Sequence, residues 1–168
     1  MNTIFLGLGT NLGDRQQNLQ RAVNSLAAGI TITAVSQIFE TIPWGVVDQP
    51  VFFNLCLAAE THKTPQQLLT FIKNLENEIG RIPTHRWGPR VIDIDILLYD
   101  NRIIAEPDLT IPHVHLAERA FVLAPLAEIA PDIAHPQTGR LVKEMLAKVE
   151  VQGIRPLPER QITIPVNF

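Results

Sequence analysis

Val91-Ile92-Asp93-Ile94-Asp95-Ile96-Leu97-Leu98-Tyr99 alternates two carboxylates with branched apolar side chains and then turns wholly apolar. Side chains of a strand point alternately to the two faces of its sheet. This run therefore predicts a strand with Asp93 and Asp95 on one face, about 7 Å apart along the backbone. The preceding segment, Arg81 to Arg90, has no periodicity and contains Pro83, Gly88 and Pro89, so it reads as a loop. Upstream, Thr64-Pro65-Gln66-Gln67 offers a capping hydroxyl, a proline at the first helical position and a glutamine at the third. Leu68, Ile72, Leu75 and Ile79 carry that helix to a stop at Gly80. Val51 to Thr61 reads as a long strand, with Phe52, Asn54 and Cys56 on one face and Phe53, Leu55 and Leu57 on the other.

Residues 31–39 have strand composition. Leu19, Ala22, Val23 and Leu26 mark one buried face of a helix over 14–28, and residues 3–8 form a first strand. The order β-α-β-β-α-β predicts an α+β, ferredoxin-like sandwich, an antiparallel sheet with helices packed on it. Helical spacing over 117–129 and 140–149 adds C-terminal helices, and 161–166 suggests an edge strand. No repeat or linker divides the 168 residues, so a single domain over 1–168 is expected.

Composition narrows the function. A net charge of −3 argues against a nucleic-acid binder held by bulk charge. The start lacks a basic, then apolar, leader and no segment has the length of a membrane span, so a cytoplasmic protein without membrane association is expected. The one cysteine, Cys56, lies in an apolar run and reads as a small buried hydrophobe. His62, His85, His115 and His135 read as surface residues.

Two carboxylates in apolar surroundings are costly unless a cation offsets them. Oxygen ligands without nearby histidine or cysteine favour Mg²⁺, held by one or two carboxylates with waters and substrate phosphates. On spacing alone, two solvent-facing acids on an edge strand are equally admissible. Arg81, Arg86 and Arg90 just before the acidic strand suit phosphate oxygens, and magnesium with arginine is the usual charge clamp of phosphoryl transfer. His113, after Pro112 and before Arg119 and Phe121, is placed either to bind a phosphate or to cap a helix. Phe52 and Asn54 share a strand face, a pairing that suits a flat nitrogen-rich ring and equally suits core packing. Gly7-Leu8-Gly9-Thr10-Asn11-Leu12-Gly13 lies between strand and helix, but its third glycine is one residue late for a dinucleotide fingerprint. These glycines read as tight-turn and close-packing positions.

Taken together, Arg86-Trp87-Gly88-Pro89-Arg90-Val91-Ile92-Asp93-Ile94-Asp95-Ile96-Leu97, Gly9-Thr10-Asn11-Leu12-Gly13 and Pro112-His113 with Arg119-Ala120-Phe121-Val122-Leu123 resemble the signature blocks of the 6-hydroxymethyl-7,8-dihydropterin pyrophosphokinase family. The likeness spans about the first 150 residues, and 151–168 lie outside it. It implies transfer of the terminal diphosphate of ATP to the hydroxymethyl oxygen of the pterin, with release of AMP, in folate biosynthesis. It also implies two Mg²⁺ on Asp93 and Asp95, and catalytic roles for Arg81 and Arg90. ATP would be held by Glu76, Arg86, Trp87, Arg90, His113 and Arg119. The pterin would lie between Phe52 and Phe121, with Thr41, Ile42, Trp44, Asn54 and Asp93 around its edge. ATP and the pterin are the expected partners, and a monomer is expected. The loop from Arg81 to Arg86 is one residue shorter than in some members, Phe52 stands where many have tyrosine, and Val114 stands where others have an aromatic or proline. Nucleotidyl transfer and ligand binding without catalysis are the rival readings, since Asp-x-Asp strands on related folds serve the first and the fold alone serves the second.

Overall fold

The computed structural model describes residues 1–41, 48–80 and 90–166. Strand β1 (Asn2–Thr10) leads into helix α1 (Arg15–Ala27), followed by β2 (Thr31–Val35), β3 (Phe39–Thr41) and β4 (Phe52–Thr61). Helix α2 (Pro65–Ile79), strand β5 (Asp93–Tyr99) and the hairpin β6 (Ile104–Glu106) and β7 (Leu109–Ile111) come next. A 3₁₀ turn at Leu116–Glu118, helices α3 (Ala120–Ile129) and α4 (Val142–Ala147) and strand β8 (Ile154–Pro156) complete the chain. The main sheet runs β5-β1-β4-β3-β8 with β2 also on β4, and its pairings are antiparallel. The α+β, ferredoxin-like expectation therefore holds, with helices on both faces.

The alternation of β4 divides the interior. Phe53, Leu55 and Leu57 face a cluster with Leu19, Val23 and Leu26 of α1 and Leu68, Ile72 and Leu75 of α2. Cys56 and Ala58 face the other way, into Val122, Leu123 and Leu126 of α3 and Val142 and Met145 of α4. Burial drives the Cys56 thiol far up, so it is an inert core side chain. Between β1 and β5 the register shifts so that Phe5 opposes Leu98 while Leu6 opposes Ile96. The extra residue, Leu97, lets both Leu97 and Leu98 pack under α3.

Helix α2 starts as its sequence demands. Gln67 N–H donates to Thr64 Oγ1 at 3.2 Å, Thr64 N–H donates to Gln67 Oε1 at 2.9 Å, and Gly80 closes the helix at φ 99°. Thr64→Ala should therefore cost about 1 kcal/mol, lowering Tm by roughly 2–4 °C in a melting curve, with activity unchanged.

Four expectations differ from what forms. The 31–39 strand is broken into β2 and β3, because Ser36 Oγ accepts from Cys56 N–H where a ladder carbonyl would stand. The helix over 117–129 is interrupted at Arg119, which is extended (φ −106°, ψ 100°) between the 3₁₀ turn and α3. Residues 161–166 form no strand. Their backbone pairs instead with side-chain amides of α1: Gln20 Nε2 donates to Thr163 O at 2.8 Å and Thr163 N–H to Gln20 Oε1 at 2.9 Å, while β8 takes the sheet edge beside β3. His135 is buried rather than at the surface; its N–H donates to Arg140 O and its Nδ1 accepts from Gln137 N–H. Among the described residues no helix is long and apolar enough to cross a membrane.

Candidate active site

Three strands bring their ends together on the α3 side of the sheet. Gly9 of β1 lies between Asp93 of β5 and Asn54 of β4, and Gly7 lies between Asp95 and Cys56. Directly opposed residues of antiparallel strands share a face, so the acids and the Phe52–Asn54 pair line one surface with glycines between them. Two strand spacings, about 10 Å, separate the Asp93 and Asn54 backbones. The result is a glycine-backed trough, acidic along one side and aromatic with an amide along the other, with the Leu97 side chain against Gly7 and the Asn54 amide against Gly9.

Glycine is needed at position 9. A Cβ on Gly9 would stand 2.6 Å from Asn54 Oδ1, whereas the nearest neighbour of one on Gly7 would be the flexible Leu97 side chain at 3.4 Å. Asn54 is itself fixed, since its Nδ2 donates to the buried Thr41 Oγ1 at 2.6 Å. Phe52, opposite Thr41 in the β3–β4 ladder, remains half-buried at the rim.

Charge is concentrated on the β5 side. Burial, then the neighbouring Asp93 and Glu76, push the Asp95 carboxyl up to about 7, against the opposing pull of Arg119 and Lys73. With 34% of its side chain exposed, Asp95 remains reachable from solvent. His113 is moved the other way. Burial, then Arg119 and His115, lower it to about 4, so the ring is neutral near pH 7. Its Nδ1 accepts from His115 N–H at 3.2 Å, which leaves the proton on Nε2, 3.7 Å from Asp95 Oδ2. His113 is thus presented to the acids as a neutral donor.

Arg119, 7% exposed, stands at the break before α3 with its guanidinium 5.5 Å from the centroid of the Phe121 ring. Glu76 lies behind the acidic strand. Its Oε2 accepts from Ile94 N–H, between the two aspartates, at 3.2 Å, and its Oε1 is 3.6 Å from Lys73 Nζ. Its described contacts thus support the exposed edge of β5.

The structure brings Asp93, Asp95, His113 and Arg119 to one side of this end of the sheet and Thr41, Phe52 and Asn54 to the other. Ile42, Trp44, Arg81, Arg86 and Trp87 lie outside the described residues. Among the described residues no group of three or more His, Cys, Asp or Glu side chains is arranged to hold a metal. A cation here would rest on the two aspartates and take its other oxygens from water and phosphate. That donor set, with the Asp95 carboxyl raised in affinity for a positive charge, fits Mg²⁺.

Two residues of this region carry no individual role in the sequence reading. Gly9 reads in the sequence as a tight-turn or close-packing position, and Asn11 enters only as part of the Gly9-Thr10-Asn11-Leu12-Gly13 block. The signal for the first was its place two residues from Gly7 in a strand that must pass between two functional strands. For Asn11 the signal is its place in the Gly9-Thr10-Asn11-Leu12-Gly13 block; the burial of its amide is visible only in the fold.

Residues 5–131 match the family model described as 7,8-dihydro-6-hydroxymethylpterin-pyrophosphokinase. A 2-amino-4-hydroxy-6-hydroxymethyldihydropteridine pyrophosphokinase of Methylorubrum extorquens is 46% identical over 156 residues, covering 92% of this chain and 98% of that protein. A protein of the same name from Aquifex aeolicus is 42% identical over 144 residues, covering 86% and 90%. Among solved structures, Plasmodium falciparum HPPK-DHPS with pteroate matches with a TM-score of 0.73 at 18% identity. The match covers 88% of this chain and 44% of that one, and at this identity it speaks to the fold alone.

Proposed function

The chain belongs to the 7,8-dihydro-6-hydroxymethylpterin-pyrophosphokinase family, and from that premise we propose that its reaction takes place on the glycine-floored trough between β5 and β4. The enzyme transfers the diphosphate of ATP to the hydroxymethyl group of 6-hydroxymethyl-7,8-dihydropterin in folate biosynthesis, with ATP as co-substrate. The observation that carries the placement is the Gly7–Gly9 floor between the paired acids and the fixed Asn54 amide.

The pterin ring lies on that floor, stacked between Phe52 and Phe121, with Asn54 and Thr41 reading its polar edge. A ring held there presents its hydroxymethyl group toward β5. Asp93 and Asp95 hold magnesium, two ions in this reading. Bound magnesium supplies charge neutralisation to the triphosphate, the main requirement of phosphoryl transfer. Arg119, already desolvated, and the neutral Nε2–H of His113 donate to phosphate oxygens. Arg90 acts from the other side, and Glu76 steadies β5 while lining the nucleotide region. Arg81, Arg86 and Trp87 complete the nucleotide contacts, and Ile42 and Trp44 those of the pterin. With the proton of His113 on Nε2, that ring serves as donor and not as base. Attack is in line, with no covalent intermediate. All of these groups come from one chain, so a monomer suffices, and both substrates suit a cytoplasmic enzyme.

The test is product identity. With ATP, Mg²⁺ and 6-hydroxymethyl-7,8-dihydropterin, AMP and a diphosphorylated pterin should form in equal amounts, and chelation of the metal should stop the reaction. Pyrophosphate with an adenylylated acceptor would instead mean nucleotidyl transfer, and pterin binding without ATP consumption would mean a binding module.

A further inference from the structure

Asn11 is 1% exposed, and its side chain joins three segments far apart in sequence. Its Nδ2 donates to Gln49 Oε1 at 2.8 Å and to the Pro50 carbonyl at 3.0 Å. Its Oδ1 accepts from Arg90 N–H at 2.7 Å, and its own N–H donates to the Arg90 carbonyl at 3.0 Å. Both amide protons and the amide oxygen are therefore engaged. Pro50 stands two residues before Phe52, and Arg90 three residues before Asp93. The contrast is Asn18, also buried, whose amide donates to Leu12 O and Thr10 Oγ1 and so only closes its own turn.

A buried amide with all its partners made is rigid, and removing it leaves its buried partners unpaired at the cost of their desolvation. The entry to β4 and the entry to β5 are not hydrogen-bonded to each other in the sheet; β1 lies between them. Asn11, just past the end of β1, supplies the missing link. We infer that Asn11 is a positioning residue for diphosphate transfer, setting Arg90 and Asp93 on the nucleotide side in register with Phe52 on the pterin side. The inference rests on the substrate placement proposed above.

The two halves of the link separate by substitution. Asn11→Asp keeps the acceptor for Arg90 N–H and removes the donors to Gln49 and Pro50; Asn11→Leu removes both. Asn11→Asp should raise the KM for the pterin about 10-fold with kcat within about 3-fold of the parent. Asn11→Leu should lower kcat about 100-fold, the order of loss expected when a reacting group is displaced by about 1 Å. Because part of that loss acts through the placement of the Arg90 side chain, it should be less than multiplicative with Arg90→Ala: the double variant should lose clearly less than the product of the two single losses. Steady-state kinetics with Mg-ATP and the pterin, beside melting curves, read all of this. Fully multiplicative losses, or an Asn11→Asp enzyme with parental KM and kcat, would overturn the inference. Should the leucine variant fail to fold, the KM-against-kcat split of Asn11→Asp decides alone. A parent that releases no AMP overturns the reaction itself and the inference with it, whereas an active parent with indifferent Asn11 variants overturns only the inference.

Discussion

Asp95→Ala is expected to lower kcat at least about 1,000-fold while the chain stays folded, because about 4 kcal/mol of charge stabilisation leaves with one of the two carboxylates proposed to hold magnesium. The same position predicts a gain in stability. Asp95 is raised from an ordinary 3.8 to about 7 by burial and by Asp93. Between about pH 4 and 7 the folded chain holds a proton that the unfolded chain has lost. This group's contribution to stability therefore falls as pH rises, and the full penalty is present above 7. Asp95→Asn removes the penalty. With 34% of the side chain exposed, solvent screening discounts the effect, and a gain of about 1 kcal/mol, or roughly 2–4 °C in Tm, is expected at pH 8 without magnesium. At pH 4 the variant and parent should melt together.

Activity should follow the same titration. A proton on Asp95 competes with the cation, so the magnesium concentration needed for half-maximal rate should rise by up to about 10-fold per pH unit below 7. His113 does not contribute to this limb, since it stays neutral down to about 4. Near-parental turnover in Asp95→Ala, or a magnesium requirement that is flat from pH 5.5 to 8, would remove Asp95 from the metal site.

The legible parts of this fold were those set by local rules. The alternation of β4 sorts its side chains into two cores, and the Thr64–Gln67 capping box starts α2 where its sequence says. Asp93 and Asp95 share a face because strand periodicity leaves no alternative. What was not legible depends on partners distant in the chain. β8 is three residues long and exists because β3 offers an edge, while the more strand-like 161–166 finds glutamine amides of α1 in its place. The break at Arg119 follows from no local stop signal; it puts a buried guanidinium beside the Phe121 ring. The tautomer of His113 is fixed by the backbone N–H of His115, which no residue type encodes. Gly9 and Asn11 look like turn residues in one dimension. Only the pairing of β1 with both β4 and β5 makes the first a floor, and only the return of the chain at Gln49–Pro50 and Arg90 makes the second a link.

Gly9→Ala tests the floor directly, and its pterin KM should rise about 100-fold. The added Cβ would stand 2.6 Å from Asn54 Oδ1 and 3.7 Å from Phe52 Cδ1. The first distance is too short for any real contact, so something must move. Asn54 cannot simply rotate, because doing so breaks its bond to the buried Thr41 hydroxyl. Moving β1 instead disturbs its ladders with both β4 and β5. Overpacking of this kind costs about 1–3 kcal/mol of stability, so the variant should fold and melt a few degrees lower. The Asn54 amide proposed to read the ring is displaced and the surface beneath it raised, while Arg119 and His113 are untouched, so affinity for a non-transferable ATP analogue should stay within about 3-fold of the parent. Gly7→Ala is the control: the nearest atoms to its Cβ would be Leu97 carbons at 3.4–3.7 Å, an ordinary contact, and its pterin KM should change by no more than about 3-fold. If Gly9→Ala and Gly7→Ala bind the pterin alike, the ring does not lie on β1, and the trough loses its place in the reaction even though the acids beside it keep theirs.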